Sequence, residues 1–310
     1  MAKYEKKPLT FEKQADQLLA RGLKADREEL VRRLEMVNYY RLSGYLYPFR
    51  NQGGDDLIEG TTLEQVWNRY CFDRRLRVQV LDAIERIEVA VRTQLVYHFS
   101  QKFGPFGHCS ELNLPKLKIS QYIGLRENLQ TETERSKEVF KKHFKDKYGD
   151  EHKNLPVWMV CELMSMGSLL TFFKGVDDDL QKKVAKHFGL PDELLLSWLQ
   201  SLYAVRNICA HHSRLWNRKL GNAPKKPQKN KFPEWHKTSE DGSPIIPNDR
   251  VGVILLICGT LLNKISQTSH WHERIELLFG DNPEIPVAEM GLPSNWKNTA
   301  LWTQIRTSKS

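Results

Sequence analysis

The stretch YAVRNICAHHSRLW, residues 203–216, places an arginine, an asparagine and a histidine where they can act together. On an α-helix successive residues turn by about 100°, so Asn207 and His211 share a face that Arg214 would continue. Arg206 lies beside that face, and its long side chain can swing toward the imidazole of His211. The spacing therefore predicts a polar site on a helix whose earlier residues are mostly apolar.

These residue types can cleave a phosphodiester bond in RNA without a metal ion. Histidine titrates near neutral pH, so His211 can take the proton of a ribose 2′-OH or return one to the leaving 5′-oxygen. Arg206 offers a planar fork for phosphate oxygens, and Asn207 can orient His211 or hold an oxygen. His212 points about 100° away from His211, so we expect one catalytic histidine. Since the 2′-OH is the nucleophile, RNA would be cut and DNA spared.

Three other interpretations stay open from the residues alone. An arginine and a histidine five apart on a helix are more often a surface pair or a satisfied core network. The same side chains would also serve a non-catalytic RNA-binding regulator that holds a phosphate and cuts nothing. A purely structural module acting through the aromatic N-terminal region is the third alternative.

Helical periodicity dominates the chain and no period-2 strand is evident, so the fold class predicted is all-α. The longest segment should begin at Thr61 or Thr62 and end at Gly104 and Pro105. Apolar residues recur in it at spacings of three and four, as one buried stripe requires, at Leu76, Val80, Ala83, Ile84, Ile87 and Val91.

Two candidate pairs lie on this long helix. Glu88 and Arg92, four apart, are predicted to form an ion pair that faces the Arg206 helix and supports its groups. Arg92 and His98 are about 120° apart around the axis, so we favour them less as a second catalytic pair.

The remaining segments predict further helices and their ends. Gly22 should separate two N-terminal helices, and Gly44 and Pro48 should end the second. The apolar run NLPVWMVCELMSMGSLLTFFKGV should lie deep in the core, as should the helix VGVILLICGTLL. Pro191 suits the first position of the site helix, followed by two acids that favour its dipole. The acids 177–179 are expected as helix-capping residues, so we assign no metal and no cofactor.

The formal net charge of +9 and a pI of about 9.2 favour a polyanionic partner such as RNA, DNA or an anionic membrane surface, and composition alone does not choose among them. Lys225, Lys226, Lys229 and Lys231 lie in a proline-broken loop after the site and would guide RNA, although a solvated loop is the default. The block NYYRLSGY joins three tyrosines to Arg41. It would either stack unpaired bases or, as we favour, pack the N-terminal helices on the core.

Composition and targeting signals favour a cytoplasmic protein. The five cysteines are scattered and never spaced as C-x-x-C, which predicts reduced thiols rather than disulfides or zinc ligands. The N-terminus has no apolar segment of a signal peptide, and the longest apolar run is too short to cross a bilayer. We therefore expect no membrane partner.

Six blocks along the chain resemble the Abi family of phage abortive-infection proteins, the AbiD and AbiF group. They are RGL at 21, NYYRLSGYLYPF at 38, FDRRLRVQVLDAIERIEVAVR at 72, LPVWMVCELMSMGSL at 155, RNICAHHSRLWNR at 206 and GLPSNWKNTALW at 291. Within the fifth block, RNICAHH is similar to the R-N-x-x-x-H signature of HEPN-domain ribonucleases. The number and order of the blocks make the likeness specific.

The resemblance implies a HEPN-like helical bundle with additional N-terminal and C-terminal helices. It implies metal-independent RNase activity in phage defence or as a toxin, with Arg206 and His211 as the catalytic pair and Asn207 and His212 in support. It further implies a homodimer with a composite site and control by an RNA antitoxin, a protein antitoxin or a phage-derived trigger. The regions expected are 1–60, packed on the core, 61–222, the HEPN-like core, and 223–310, a basic loop with C-terminal helices.

Overall fold

The computed structural model of the protein describes residues 7–240, 242, 244–266 and 268–307. Over these residues the predicted all-α class is confirmed, because the extended backbone forms only isolated bridges. The α-helices are α1 Phe11–Ala20, α2 Arg27–Val37, α3 Tyr39–Leu46, α4 Leu63–Phe103, α5 Ile119–Arg135, α6 Val139–Tyr148, α7 Val157–Val160, α8 Met166–Gly175, α9 Asp178–His187, α10 Asp192–Ala210, α11 Val251–Ile265, α12 Trp271–Gly280 and α13 Ala300–Thr307. Short 3-10 helices span Tyr47–Phe49, Gly107–Cys109, Glu111–Asn113, Cys161–Leu163, Pro233–His236, Val287–Met290 and Trp296–Asn298.

The chain divides into two compact units. The first comprises Met1–Arg77 and Leu277–Ile285, and the second comprises Val78–Glu276 and Pro286–Ser310. The boundary thus falls inside α4, which contributes residues to both units. The division into regions 1–60, 61–222 and 223–310, with the roles expected for each, stays a prediction. Residues 1–6 and 308–310 of those regions lie outside the described part of the chain.

The first unit contains the aromatic N-terminal block. Gly22 follows α1 with φ of +93°, as expected of a glycine stop. The second stop was predicted wrongly at Gly44, which lies within α3, whereas Pro48 does follow the end of that helix at Leu46. The break comes instead at Asn38, whose φ is +66° and whose side chain accepts a hydrogen bond from the backbone N–H of Tyr40 at 2.9 Å. Asparagine tolerates this left-handed backbone and caps the next helix, so it separates α2 from α3.

Helix α4 matches its predicted ends and its predicted buried stripe. Thr62 and Gln65 form a capping box, in which each side chain bonds the other's backbone N–H at 3.2 and 3.0 Å. At the other end Gly104 adopts φ of +71°. The six apolar residues of the stripe are at most 1% exposed, which fixes the rotation of α4 and thereby the directions of Glu88 and Arg92.

The second unit is organised around apolar helices. Most of α8 and nearly all of α11 are buried, as predicted, whereas Trp158 in the first apolar run is 47% exposed. Asp177 caps α9 by accepting a hydrogen bond from the N–H of Leu180 at 3.0 Å. Pro191 is the N-cap of α10 rather than its first helical residue, one position earlier than expected. Across the described residues, no helix is both long and apolar enough for a bilayer.

Candidate active site

The site segment ends helix α10 instead of continuing it. Ala210 is the last helical residue, His211 is the C-cap and His212 follows with φ of +56°. The N–H of Ser213 donates to the carbonyl of Ile208 at 2.9 Å, and the N–H of His212 to that of Cys209 at 3.0 Å. These two bonds are those of a Schellman motif, which satisfies the last carbonyls of a helix.

This helix end corrects two expectations drawn from helical spacing. Arg214 does not continue the face of Asn207 and His211, because the helix has stopped four residues before it. The direction of His212 is likewise set by a left-handed backbone rather than by a helical turn. A histidine at this position costs about 1–2 kcal/mol relative to glycine, and such strain is commonly found at functional sites.

The turn is exposed but firmly anchored on both sides. His211 and His212 are exposed, whereas Cys209 before them is 1% exposed and both Leu215 and Trp216 after them are fully buried. The N–H of His211 also bonds the carbonyl of Asn207 at 3.0 Å. The backbone at His211 is therefore fixed while its imidazole stays open to a ligand.

Arg206 faces the predicted ion pair on α4. Arg92 donates to Glu88 at 2.7 Å, and their side chains are 12% and 16% exposed, which confirms the pairing expected from the sequence. Burial raises the pKa of Glu88, while the positive charges of Arg92 and Arg206 oppose that rise. The charge of Arg206 on α10 thus acts on the Glu88 carboxyl group of α4.

Arg92 also reaches the backbone before α8. Its Nη2 donates to the carbonyl of Met164 at 3.0 Å, and its Nε is buried without a hydrogen-bond partner. Nearby, burial raises the pKa of the Cys161 thiol to about 12, so that cysteine is a neutral neighbour. Sequence reasoning missed the Met164 contact, because a backbone acceptor 72 residues away leaves no mark in local residue types.

Asn207 faces a different neighbour from Arg206. It lines a groove of about 690 Å³ between α5, α8 and α10, on the side of α10 that also carries Gln200, Tyr203 and Ala204. The complete lining is Asn128, Ser165, Gly167, Ser168, Leu170, Thr171, Lys174, Gln200, Tyr203, Ala204, Asn207 and Asn222. The sequence reading overlooked this groove, although its polar residues on α10 recur at helical spacing.

The catalytic candidates have no competing partners within the described residues. There, the side chains of Arg206, Asn207 and His211 make no hydrogen bond to the protein, and Arg206 and His211 are exposed. Asn207 is half-buried. The guanidinium, amide and imidazole groups can thus present their donors to a ligand. Over the same residues no group of three or more potential ligands is arranged for a metal ion.

The lysine loop is an exposed segment held along the earlier part of α10. The N–H of Lys225 donates to the Ser197 hydroxyl at 2.8 Å, and Trp198 Nε1 donates to the Lys225 carbonyl at 3.0 Å. Ser197 precedes Arg206 by nine residues, which is about 14 Å along the helix. Lys229 and Lys231 are exposed, whereas Lys226 is half-buried and burial lowers its pKa.

The second arginine-histidine pair is not brought together. His98 lies beside α9, where burial and the charge of Lys183 lower its pKa and Asp179 opposes them. Arg92 is instead occupied by Glu88 and the Met164 carbonyl. Arg92 thus has partners other than His98, and the pairing of Arg206 with His211 stays a prediction.

The tyrosines of the aromatic block, residues 38–45, differ in whether they suit packing or base stacking. Tyr45 is 1% exposed and donates a hydrogen bond to Asp73 at 2.6 Å, which is a packing role. Tyr40 is 76% exposed. The favoured structural interpretation thus holds for Tyr45, while base stacking by Tyr40 stays a prediction.

Comparison with models of protein families assigns the chain to one family. The model of the Abi-like protein family matches residues 32–217, more than half of the 310 residues, and the chain belongs to that family. The matched range includes α4, α8 and α10. No curated protein and no solved structure gives a significant match, so the HEPN-like arrangement of the helices stays a prediction. Family membership points to a role in phage abortive infection.

Proposed function

We propose that the protein is a metal-independent endoribonuclease of abortive infection, with Arg206 and His211 as its catalytic pair. The observation that carries the proposal is the anchored turn at the end of α10, which exposes His211 and leaves Arg206 beside the Glu88–Arg92 pair. A half-buried ion pair next to an exposed arginine suits a site that binds phosphate from one side.

The reaction proceeds by attack of the ribose 2′-oxygen on the adjacent phosphorus. As that bond forms, the P–O5′ bond breaks, which leaves a 2′,3′-cyclic phosphate and a 5′-OH. An unprotonated imidazole takes the 2′-OH proton, and a protonated one supplies a proton to the 5′-oxygen. Arg206 binds the non-bridging oxygens and stabilises their charge in the transition state.

A homodimer would supply the second imidazole. One His211 cannot be base and acid in the same step, but two copies of the α10 turn about a two-fold axis would bring both roles into one groove. The proposal thus includes a dimer, control by an RNA or protein antitoxin, and a cytoplasmic location where cellular RNA is the substrate. Light scattering at assay concentration tests the dimer, and an active monomer would refute that part.

The test of the enzyme is cleavage of a labelled mixed-sequence RNA in EDTA, with matched DNA alongside. Wild type should cut the RNA and leave the DNA intact. The rate of RNA cleavage should fall roughly a hundredfold or more in His211→Ala and in Arg206→Ala. His143→Ala and Arg32→Ala replace exposed residues elsewhere and should cut like wild type. Cell lysate from infected and uninfected cells is added to supply a trigger.

A non-catalytic RNA-binding regulator is the second candidate. It is favoured by the imidazole of His211, which no hydrogen bond orients within the described residues. In that case all variants would bind RNA in a salt-dependent manner and none would cut it, with or without lysate. Binding alone does not separate the two candidates, so the cleavage assay decides.

A further inference from the structure

We propose that the groove between α5, α8 and α10 binds an unpaired nucleobase next to the phosphate held at Arg206. The inference takes RNA as the ligand class from the proposed function and assigns it a second contact site. Single-stranded RNA offers splayed bases that proteins bind by stacking and by hydrogen bonds to base edges. The groove therefore would determine which sequence is bound and cut.

Position links the groove to the candidate catalytic residues. Gln200, Tyr203 and Asn207 line it at spacings of three and four on one face of α10. Three helical turns beyond Gln200, that face reaches His211 at the C-cap. Asn207 thus lies at the groove and next in sequence to Arg206, so RNA held at Arg206 has the groove within reach of its neighbouring nucleotide.

The lining suits a neutral base better than a phosphate. Asn128, Gln200 and Asn207 present amide side chains, and none of the three makes a side-chain hydrogen bond within the described residues. Each amide offers both donors and acceptors, which match the mixed pattern of a base edge. Lys174, also in the lining, can bind the flanking phosphate.

A buried carboxylate near the lining argues against an anion in the groove itself. Glu132 Oε1 accepts hydrogen bonds from the Ser165 N–H at 3.2 Å and the Ser168 hydroxyl at 3.4 Å. Its Oε2 is buried without a partner. Because both serines line the groove, this carboxylate holds the wall in place and disfavours a second negative charge beside it.

Tyr203 provides an aromatic surface for stacking. A Cβ at Gly167 would lie only 3.1 Å from the Tyr203 hydroxyl oxygen and 3.4 Å from its Cζ. The absence of a side chain at Gly167 thus lets the ring lie against α8, where it is half-buried and part of the groove wall. Any base can stack on such a ring, whereas hydrogen bonds to the amide side chains would favour particular bases.

The experiment is a binding cycle that does not depend on cleavage. RNA hexamers, intact or with one base removed at each position in turn, are titrated against His211→Ala protein by fluorescence anisotropy. The same RNAs are titrated against His211→Ala/Gln200→Leu and His211→Ala/Tyr203→Leu. Gln101→Leu in the same background is the control, because Gln101 is exposed and lies outside the groove lining. Circular dichroism checks the fold of each variant.

We expect base removal at one position to weaken binding about tenfold in the His211→Ala and control proteins. In the Gln200→Leu and Tyr203→Leu proteins the same removal should have little further effect, since the base has lost its site. An equal loss in all folded variants, or no position that matters, would overturn the groove proposal. RNA binding with this pattern but no cleavage by wild type, with or without lysate, would reject the nuclease and leave the groove standing.

Discussion

Three arginine–carboxylate pairs lie on α4 with the acid four residues before the base, and two of them, Asp73–Arg77 and Glu88–Arg92, differ in their surroundings. Asp73 and Arg77 are 2.5 Å apart and 0% and 5% exposed, with the Tyr45 hydroxyl bonded to both. Glu88 and Arg92 are 2.7 Å apart and 16% and 12% exposed. Arg206, an exposed arginine of α10, faces this second pair. One pair is enclosed by the protein, and the other has an open side.

The difference separates a structural polar cluster from a candidate binding cluster. Around Asp73, the protein itself supplies the partners, and burial raises the pKa of Tyr45 so that its hydroxyl stays a donor. Around Glu88, the neighbouring Arg206 has donors that no described residue uses. The same i,i+4 sequence pattern thus serves a structural cluster in one place and a candidate binding cluster in the other. The neighbouring side chain, Tyr45 in the first case and Arg206 in the second, makes the difference.

Breaking the enclosed pair should have the largest effect on stability. Asp73→Ala leaves Arg77 buried without its carboxylate, which typically costs about 3–5 kcal/mol. Urea unfolding followed by circular dichroism measures the loss. An equal loss from Glu88→Gln would contradict the distinction between the two pairs.

A buried histidine just after α4 offers a pH-dependent contrast to both charged pairs. Burial and the nearby Arg126 lower the pKa of His108 to about 4, and its Nδ1 has no partner. The unfolded histidine takes up a proton near pH 6.5, so folding stability should fall as pH drops from there to about 4. The loss should reach roughly 3 kcal/mol. In His108→Gln the unfolding free energy should vary less over that interval, and an unchanged slope would refute the assignment.

Neutralising the open pair should affect RNA cleavage more than stability. Because the pKa of Glu88 is raised, its contribution to stability is full below about pH 4.5 and is lost as pH rises through its folded value. Glu88→Gln should therefore match wild type in acid and be no less stable at neutral pH. Its RNA turnover should fall roughly ten- to hundredfold, since Arg206 loses an orienting charge. Parallel unfolding curves and cleavage rates test both parts.

The smallest effect is expected from the lysine loop. Each phosphate contact on single-stranded RNA contributes about 0.7 to the slope of log affinity against log salt. Lys229→Gln/Lys231→Gln should lower that slope by up to about 1.4, since both residues are exposed. Lys225→Gln/Lys226→Gln should change it less, because Lys225 pairs with Glu193 at 3.3 Å and Lys226 is half-buried. The reverse order would show that the RNA follows the earlier part of the loop.

Local sequence patterns predicted the helices better than their ends. The stripe of α4 and its capping threonine follow from the spacing of apolar residues and from side-chain capping, both of which are local. The break at Asn38 and the stop at Ala210 were missed because asparagine and histidine replace the glycine that usually marks a left-handed residue.

The candidate site was predicted in part, because only some of its residues form local patterns in the sequence. Arg206, Asn207, His211 and the Glu88–Arg92 pair are visible as motifs within single segments. The Met164 carbonyl and the groove of Asn128 and Lys174 come from other segments, and only the packing of α5, α8 and α10 brings them near. No spacing rule connects residues so far apart along the chain.

The most direct test of the central claim is the chemistry of the RNA ends that wild type leaves in EDTA, determined by mass spectrometry. Attack by the 2′-OH with His211 as acid and base predicts a 2′,3′-cyclic phosphate, or the 3′-phosphate it opens to, and a 5′-OH. A 3′-OH with a 5′-phosphate, or cleavage only when a divalent ion is restored, would contradict the account.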